Sequence, residues 1–258
     1  MYNRIAVAGA TGRVGRHIVE VLDQRGYTAV PIARSAGVDV ITREGLAGAL
    51  TGAGCVIDAA TGPSPEQQAA TEFFTTAAHN LQQAGVEAGV ERIVAVSIIG
   101  CDRFSGGYNA AKVAHEKAML AGPVAASILR AAQFHEFVEL LVNWGRQDGV
   151  AYVPEMRTQL VAARTVAEAL VDLATAPELP DQPIPEIAGP REESMVEMAR
   201  LFVAQRGEEL RIEGVSDPAD PEHQLYMSGA LLPSPHATLA GPTYAEWLET
   251  PVSSAQNA

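Results

Sequence analysis

Short apolar segments alternate with segments of helical periodicity over roughly the first 145 residues. Residues 5–8 form an apolar run, and Val14, Ile18 and Leu22 then recur at helical spacing. Further strands are predicted at 28–33, 55–60, 93–98 and 125–129, and further helices at 46–50, 66–88 and 108–120. This alternation predicts an α/β fold of the doubly wound Rossmann type, in which helices cover both faces of a parallel sheet.

The pattern loosens after about residue 145. Prolines at 177, 180, 183 and 185 separate a predicted helix near 166–174 from another near 195–206. We therefore expect a dinucleotide-binding Rossmann domain at residues 1–150 and a smaller substrate-binding lobe at 151–250, with some segments of the lobe returning to the sheet. The polar residues 251–258 are expected to form a frayed tail.

Composition and charge narrow the class of protein. The 258 residues are 47% hydrophobic, which is typical of a globular chain, and the formal net charge is -13. This acidic balance argues against nucleic-acid binding. No export signal is visible, and the longest apolar run is far shorter than the roughly 20 residues that span a bilayer. With Cys55 and Cys101 expected as buried thiols, the sequence predicts a cytoplasmic protein that does not bind membranes.

A glycine-rich turn joins the first predicted strand to the first predicted helix. Residues 9–15 read Gly-Ala-Thr-Gly-Arg-Val-Gly. Such glycines allow a tight turn and let the backbone approach a pyrophosphate at the helix N-terminus, where N–H groups attract anions. The alternative is a turn that needs glycine for steric reasons alone. The predicted cofactor contacts in this turn are Gly9, Thr11, Gly12, Arg13, Val14 and Gly15.

The residue after the second strand indicates which dinucleotide binds. An acidic side chain there would bind the ribose 2′-hydroxyl of NAD, whereas Arg34 can pair with the 2′-phosphate of NADP. Arg13 would add a second positive group. The alternative for Arg34 is an ordinary surface arginine. The sequence therefore favours NADP over NAD.

The order and spacing of several motifs resemble the short-chain dehydrogenase/reductase superfamily, in particular its atypical, NmrA-like branch. Besides the glycine turn, the motifs are Val38-Asp39-Val40, Val94-Ala95-Val96-Ser97, Tyr108-Asn-Ala-Ala-Lys112 and Ile128-Leu129-Arg130 ahead of Gln133-Phe134-His135. The resemblance covers most of the chain. It implies that Asp39 and Val40 lie by the adenine and that Ala59, Ala60 and Thr61 line the cofactor path.

A serine, a tyrosine and a lysine are the predicted catalytic residues. Tyr108 and Lys112 are four positions apart on a predicted helix, so both side chains project from one face. A lysine ammonium beside the phenol would lower the tyrosine pKa and make Tyr108 a usable proton donor or acceptor. Ser97, at the end of its strand, would hydrogen-bond the substrate oxygen, and Ser105 is an alternative hydroxyl. The resemblance implies that Lys112 also binds the nicotinamide ribose.

Candidate substrate contacts follow the fifth strand. The resemblance places Phe134 and His135 in a loop near the nicotinamide and the substrate. His135 is a candidate substrate contact or proton relay, and the alternative is a histidine in the core. Four further side chains are expected mainly to fill the core of the smaller lobe, with lining of the substrate pocket as the alternative: Trp144, Tyr152, Met156 and Met227. The other histidines show no metal-ligand spacing, so no metal site is predicted.

These inferences predict an NADPH-dependent oxidoreductase that reduces a small carbonyl, enone or quinone-like compound. The first alternative is an NADP(H)-binding redox sensor without turnover, since NmrA-like proteins include such members. The second is an epimerase or dehydratase that retains its cofactor. The sequence allows a homodimer and does not decide the oligomeric state.

Overall fold

A computed structural model of the chain describes residues 2–180, 184–216, 219 and 222–250. Its strands are β1 Arg4–Ala8, β2 Thr28–Ile32, β3 Cys55–Asp58, β4 Arg92–Ile98, β5 Ala125–Ala131, β6 Arg146–Gln147, β7 Val150–Pro154, β8 Arg157–Thr158, β9 Glu186–Ala188, β10 Glu193–Ser194, β11 Arg211–Val215 and β12 Thr238–Leu239. Its helices are α1 Arg13–Gln24, α2 Leu46–Leu50, α3 Gln67–Ala88, α4 Gly107–Leu120, α5 His135–Trp144, α6 Ala163–Thr175, α7 Met195–Gln205, α8 His223–Ser228 and α9 Tyr244–Glu249. The predicted tail at 251–258 lies outside the described residues.

The chain divides into two compact units. The first unit contains the residues up to 131 together with 163–186, and the second contains 132–162 together with the residues from 187 onward. The first stretch of the first unit therefore ends at residue 131, whereas the sequence predicts a domain boundary at 150. The difference arises because α5, β6 and β7 pack within the second unit. Helix α6 belongs to the first unit, where it packs on α1.

Five strands of the parallel sheet lie in the first unit, in the order β5-β4-β3-β1-β2. In the register of the central strands, Ala6 lies opposite Val30 of β2 and Val56 of β3. Helices α1 and α6 cover one face, and α2, α3 and α4 pack on the other with a core that includes Leu50 and Leu81. The predicted doubly wound, parallel Rossmann-type fold is confirmed.

The strands end where side chains turn the backbone away from the sheet. All four residues of β3 are buried, as expected of a central parallel strand covered on both faces. β3 ends at Asp58 rather than at the predicted Ala60, because the Asp58 carboxylate accepts a hydrogen bond from the Ala60 N–H at 3.0 Å. β2 ends at Ile32, and the 3₁₀ turn Arg34–Ala36 follows it. The carboxyl ends of both strands thus lead directly into exposed loops.

The second unit has its own core around α5, α7 and α9. β7 pairs in parallel with β11 and antiparallel with β6, while β9 pairs in parallel with β12. Val142, Phe202 and Tyr244 are among the buried side chains. The prediction that Trp144, Tyr152 and Met227 fill this core is wrong, because all three side chains are exposed, Trp144 to 65%. Met156, predicted with them, is partly buried and packs against the core.

None of the described helices is both long enough and apolar enough to cross a membrane.

Candidate active site

The glycine turn of the first unit is tightly packed against itself and against the end of β3. Gly9 has a φ of +74°, and a Cβ added there would lie 2.6 Å from the Ala59 carbonyl oxygen. A Cβ added to Gly15 would overlap the carbonyl oxygen of Gly9. The Gly12 N–H donates to that same oxygen at 2.9 Å. The turn therefore requires glycine at positions 9 and 15 for steric reasons, whatever it binds.

The turn leaves the N-terminus of α1 open. Gly12 is the N-cap and provides no side-chain acceptor for the first-turn N–H groups. Thr11, Gly12 and Arg13 are exposed, whereas Val14 and Gly15 are buried. Unsatisfied N–H groups, the positive end of the helix dipole and the adjacent Arg13 guanidinium form a donor set that fits an anionic pyrophosphate.

Arg34 lies beside this turn. The Gly9 N–H donates to the Ile32 carbonyl oxygen at 3.0 Å, which continues the pairing of β1 with β2 up to the glycines. Arg34 follows in the 3₁₀ turn with an exposed side chain. Within the described chain neither Arg34 nor Arg13 forms an ion pair, so both guanidinium groups are available to phosphate. Their role in selecting NADP stays a prediction.

The predicted adenine-side residues are fixed by local contacts. The Asp39 carboxylate accepts hydrogen bonds from the N–H groups of Ile41, at 2.6 Å, and Thr42, at 3.2 Å. Val40 is buried in the core, and its carbonyl accepts a hydrogen bond from the Asn80 side-chain amide at 2.8 Å. This carboxylate therefore shapes its own turn, and a contact of Asp39 with adenine stays a prediction.

The residues after β3 complete the wall beside the glycine turn. Ala59 lies against Gly9, and its N–H donates to the Ala8 carbonyl at 3.0 Å. Ala60 is buried, whereas Thr61 is exposed. Both alanines thus lie at the carboxyl edge of the sheet, next to the open end of α1.

Lys112 is buried on α4, with 4% of its surface exposed. Its ammonium nitrogen lies 2.8 Å from the Val96 carbonyl oxygen, to which it donates, and 2.9 Å from His115 Nδ1. The same nitrogen lies 4.3 Å from the centre of the Phe74 ring, within range of a cation–π interaction. The lysine is therefore held by groups from α3, α4 and β4.

His115 connects Lys112 to a buried carboxylate. His115 Nε2 lies 3.0 Å from Asp58 Oδ2, and both residues are almost fully buried. Neither residue is among the site residues predicted from the sequence. Two signals were present: Asp58 ends a buried strand, and His115 follows Lys112 at a spacing of three on one helix face. Neither signal shows that β3 and α4 meet at this point.

Lys112, His115 and Asp58 shift one another's pKa values. Burial lowers the pKa of Lys112 to about 8, although Asp58 and Glu116 act in the opposite direction. Burial and the neighbouring lysine also lower the pKa of His115. Burial alone would raise the pKa of Asp58, but the hydrogen bonds from His115 and from the Ala60 N–H, together with the nearby Lys112 charge, outweigh burial and lower that pKa. At neutral pH the arrangement therefore favours a charged lysine, a neutral histidine and an ionised aspartate.

Tyr108 differs from the sequence prediction in one respect. It is half-buried and packs edge-on against Phe74, with ring centroids 5.6 Å apart. Burial raises the pKa of Tyr108 to about 12, so the predicted lowering by Lys112 is wrong for this structure. The physical reason is that Tyr108 loses solvation while the ammonium is engaged by Val96 and His115.

Ser97 lies beside a buried ion pair. Its hydroxyl oxygen is 3.8 Å from Cys101 Sγ, and that thiol donates to Glu116 at 3.4 Å. The Glu116 carboxylate accepts two hydrogen bonds from Arg130, at 2.8 and 2.9 Å. Ser97, Tyr108 and Lys112 thus all belong to the first unit, but Ser97 is almost fully buried. Ser105, the alternative hydroxyl, is exposed.

Solved structures match nearly the whole chain, whereas no protein-family model and no curated protein sequence matches it. MoeE5, solved with UDP-glucose and NAD, is 19% identical with a TM-score of 0.70, over 95% of this chain and 96% of that one. A short-chain dehydrogenase/reductase superfamily protein from Agrobacterium tumefaciens with bound NAD is 17% identical with a TM-score of 0.68, over 95% of each chain. The NADPH-dependent quinone oxidoreductase QOR2 from Escherichia coli is 16% identical with a TM-score of 0.63, over 95% and 98%.

The chain shares the fold of these three proteins, one of which belongs to the short-chain dehydrogenase/reductase superfamily. The fold that the sequence motifs imply is therefore confirmed. At these identities the likeness shows the fold alone, so the chemistry has to be argued from the residues of this chain.

The predicted substrate residues Phe134 and His135 lie in the second unit. His135 begins α5, where a loop is predicted, and its ring is fully buried between Tyr244 and Trp247, with centroids 5.4 and 5.3 Å away. Its Nε2 lies 3.1 Å from the Pro242 carbonyl oxygen. Phe134 is half-buried as the N-cap of the same helix. These surroundings suit a packing role for His135, and a contact with substrate stays a prediction.

Within the described part of the chain, no group of three or more histidine, cysteine, aspartate or glutamate side chains is placed to hold a metal ion.

Proposed function

We propose that the protein is an NADPH-dependent oxidoreductase that reduces a small carbonyl, enone or quinone-like substrate. The observation that carries this proposal is the open N-terminus of α1, flanked by the exposed cations Arg13 and Arg34, in the same compact unit as Tyr108 and Lys112. Structural neighbours solved with NAD or described as NADPH-dependent support a nicotinamide dinucleotide.

The first unit would hold the cofactor through its backbone and the guanidinium groups of Arg13 and Arg34. The first-turn N–H groups of α1 would bind the pyrophosphate, and Arg34 would pair with the 2′-phosphate. The bound cofactor supplies a hydride. The overall charge of -13 repels such an anion, so these local donors have to provide the attraction.

Tyr108 would act as the proton donor. A phenol whose pKa is raised to about 12 keeps its proton at neutral pH and can give it to a strongly basic oxygen such as a developing alkoxide. Lys112, as an ammonium, would stabilise negative charge on the phenol oxygen after proton transfer. Ser97 would orient the substrate oxygen by hydrogen bonding.

Replacing Tyr108 with Phe tests this function. Purified protein is titrated with NADPH by fluorescence and then assayed for NADPH oxidation against a panel of ketones, enones and quinones. We expect Tyr108→Phe to abolish turnover and to leave NADPH binding unchanged, because only the proton donor is lost. Tyr27→Phe is the matched control, since Tyr27 follows the far end of α1. Turnover retained by Tyr108→Phe would reject the proposed proton donor.

A specific observation also favours a second candidate, an NADP(H)-binding sensor without turnover. The ammonium of Lys112 is engaged by His115 and Val96, and burial raises rather than lowers the Tyr108 pKa. A sensor would bind NADPH yet oxidise it with no acceptor in the panel. Product formation without net NADPH consumption would instead indicate an epimerase or dehydratase.

A further inference from the structure

Three ionisable side chains form a continuous buried hydrogen-bonded chain that packs on the Phe74 ring, which Tyr108 also contacts. Asp58 Oδ2 lies 3.0 Å from His115 Nε2, and His115 Nδ1 lies 2.9 Å from Lys112 Nζ. All three residues are less than 5% exposed. Charged groups in such surroundings require partners, because burial without them costs several kcal/mol.

The donors and acceptors of this chain define one arrangement of protons. An ionised carboxylate can only accept, so His115 Nε2 must carry a hydrogen and donate it to Asp58. In a neutral imidazole Nδ1 is then an acceptor, and it receives an N–H from the Lys112 ammonium. The second ammonium hydrogen goes to the Val96 carbonyl. The third ammonium hydrogen has the face of the Phe74 ring, whose centre lies 4.3 Å from the nitrogen. The other Asp58 oxygen accepts from the Ala60 N–H. The charges of Asp58 and Lys112 therefore balance within the buried chain.

We propose that Asp58 and His115 are positioning residues that hold Lys112 as an ammonium, with His115 fixed as the Nε2–H tautomer by Asp58. The consequence for turnover rests on the proposed function, in which Lys112 serves Tyr108. The chain itself is a property of the protein and can be measured without turnover.

Other groups also face the Lys112 ammonium and have to be considered. The Phe74 ring approaches it from α3, Cys101 from the 3₁₀ turn after β4, and Glu116 from α4. Of the two carboxylates that act on Lys112, Glu116 already has Arg130 as its cationic partner, at 2.8 Å. Asp58 has only Lys112, which it reaches through His115.

Nuclear magnetic resonance of the protein without cofactor tests the proposal directly. Long-range ¹H–¹⁵N spectra report the tautomer of each histidine, and the ¹³Cε signal of Lys112 reports its titration. We expect neutral His115 with hydrogen on Nε2 at pH 7. In Asp58→Asn the amide can donate to His115, so we expect loss of that tautomer and a Lys112 midpoint lower by about one pH unit or more. Asp23→Asn, at an exposed position of α1, is the matched control and leaves both signals unchanged.

A second pair of variants keeps the test decisive if Asp58→Asn fails to fold. A glutamine at position 115 can donate to Asp58 and accept from Lys112, whereas a leucine can do neither. We expect His115→Gln to keep a Lys112 midpoint near the wild-type value and His115→Leu to lower it. His79→Gln, at an exposed position of α3, controls for histidine replacement.

The pH dependence of kcat provides the last test. If the proposed function holds, the loss of kcat above neutral pH moves to lower pH in His115→Leu and is largely restored in His115→Gln. His115 observed as the Nδ1–H tautomer or as imidazolium in the wild type would overturn the proposal. An equal Lys112 midpoint in the Gln and Leu variants would also overturn it. A wild-type protein without turnover rejects the proposed function alone, because the resonance measurements still decide the tautomer.

Discussion

Acid should destabilise the second unit through His135. Burial lowers the pKa of this histidine from its ordinary value of 6.5 to about 4. The unfolded chain therefore binds a proton between pH 6.5 and 4 that the folded chain excludes, so the free energy of unfolding falls as the pH falls through this window. At about 1.4 kcal/mol per pH unit, the contribution reaches about 3 kcal/mol. That is a large part of the stability of a typical domain.

Urea unfolding at several pH values measures this effect. Both tryptophans of the chain, Trp144 and Trp247, belong to the second unit, and the Trp247 ring lies 5.3 Å from that of His135, so fluorescence reports the relevant region. In His135→Phe a phenyl ring fills the place of the imidazole, and the titrating group is removed. We expect the variant to lose less stability than the wild type between pH 6.5 and 4.

The difference between the two proteins isolates His135. Other groups whose pKa is shifted by burial, His115 and Glu193 among them, are present in both proteins and contribute equally. His236→Gln, at an exposed position, should follow the wild type. Equal pH slopes for the wild type and His135→Phe would refute the reasoning.

Three further substitutions test the first unit. Gly15→Ala places a Cβ on a backbone oxygen, so it should unfold the protein or lower its thermal midpoint strongly. Gly48→Ala is the control: this position in α2 has open space around it, and the substitution should stabilise the folded protein by about 0.5–1 kcal/mol. Arg34→Ala should weaken NADPH binding by about tenfold or more and leave NADH binding unchanged in calorimetry, because it removes a charged hydrogen bond; equal losses for both would contradict the NADP assignment. Gln82→Leu leaves backbone groups of α4 and of the loop after it unpaired and should cost about 2–4 kcal/mol in urea unfolding, while exposed Gln83→Leu should cost little.

The sequence predicts the first unit well because its signals are local. Strands such as β3 are buried on both faces, so they stand out as short apolar runs, and the glycine turn occupies consecutive residues. The ends of strands are less predictable. Whether β3 stops at Asp58 depends on one hydrogen bond from its carboxylate to Ala60, which periodicity does not reveal.

The remaining features depend on contacts between distant parts of the chain. His115 and Asp58 are 57 positions apart, and only the packing of α4 against the sheet brings them together. The same limit applies to Tyr108, since its pKa depends on how deeply Phe74 and its neighbours bury it. The family resemblance places His135 in a loop, yet helix α5 begins at this residue and the imidazole ring is buried in the core.

Because Gly9 and Gly15 are so closely packed, the presence of glycines in the glycine turn is weak evidence for dinucleotide binding. A descendant of this chain that no longer bound a dinucleotide would still need both glycines to fold. Exposed Arg13 and Arg34, by contrast, make no ion pair in the described chain, so folding would not preserve them. Under the proposed function, the two arginines would therefore be the better markers of retained NADP binding in such descendants, and the glycines are markers of the turn.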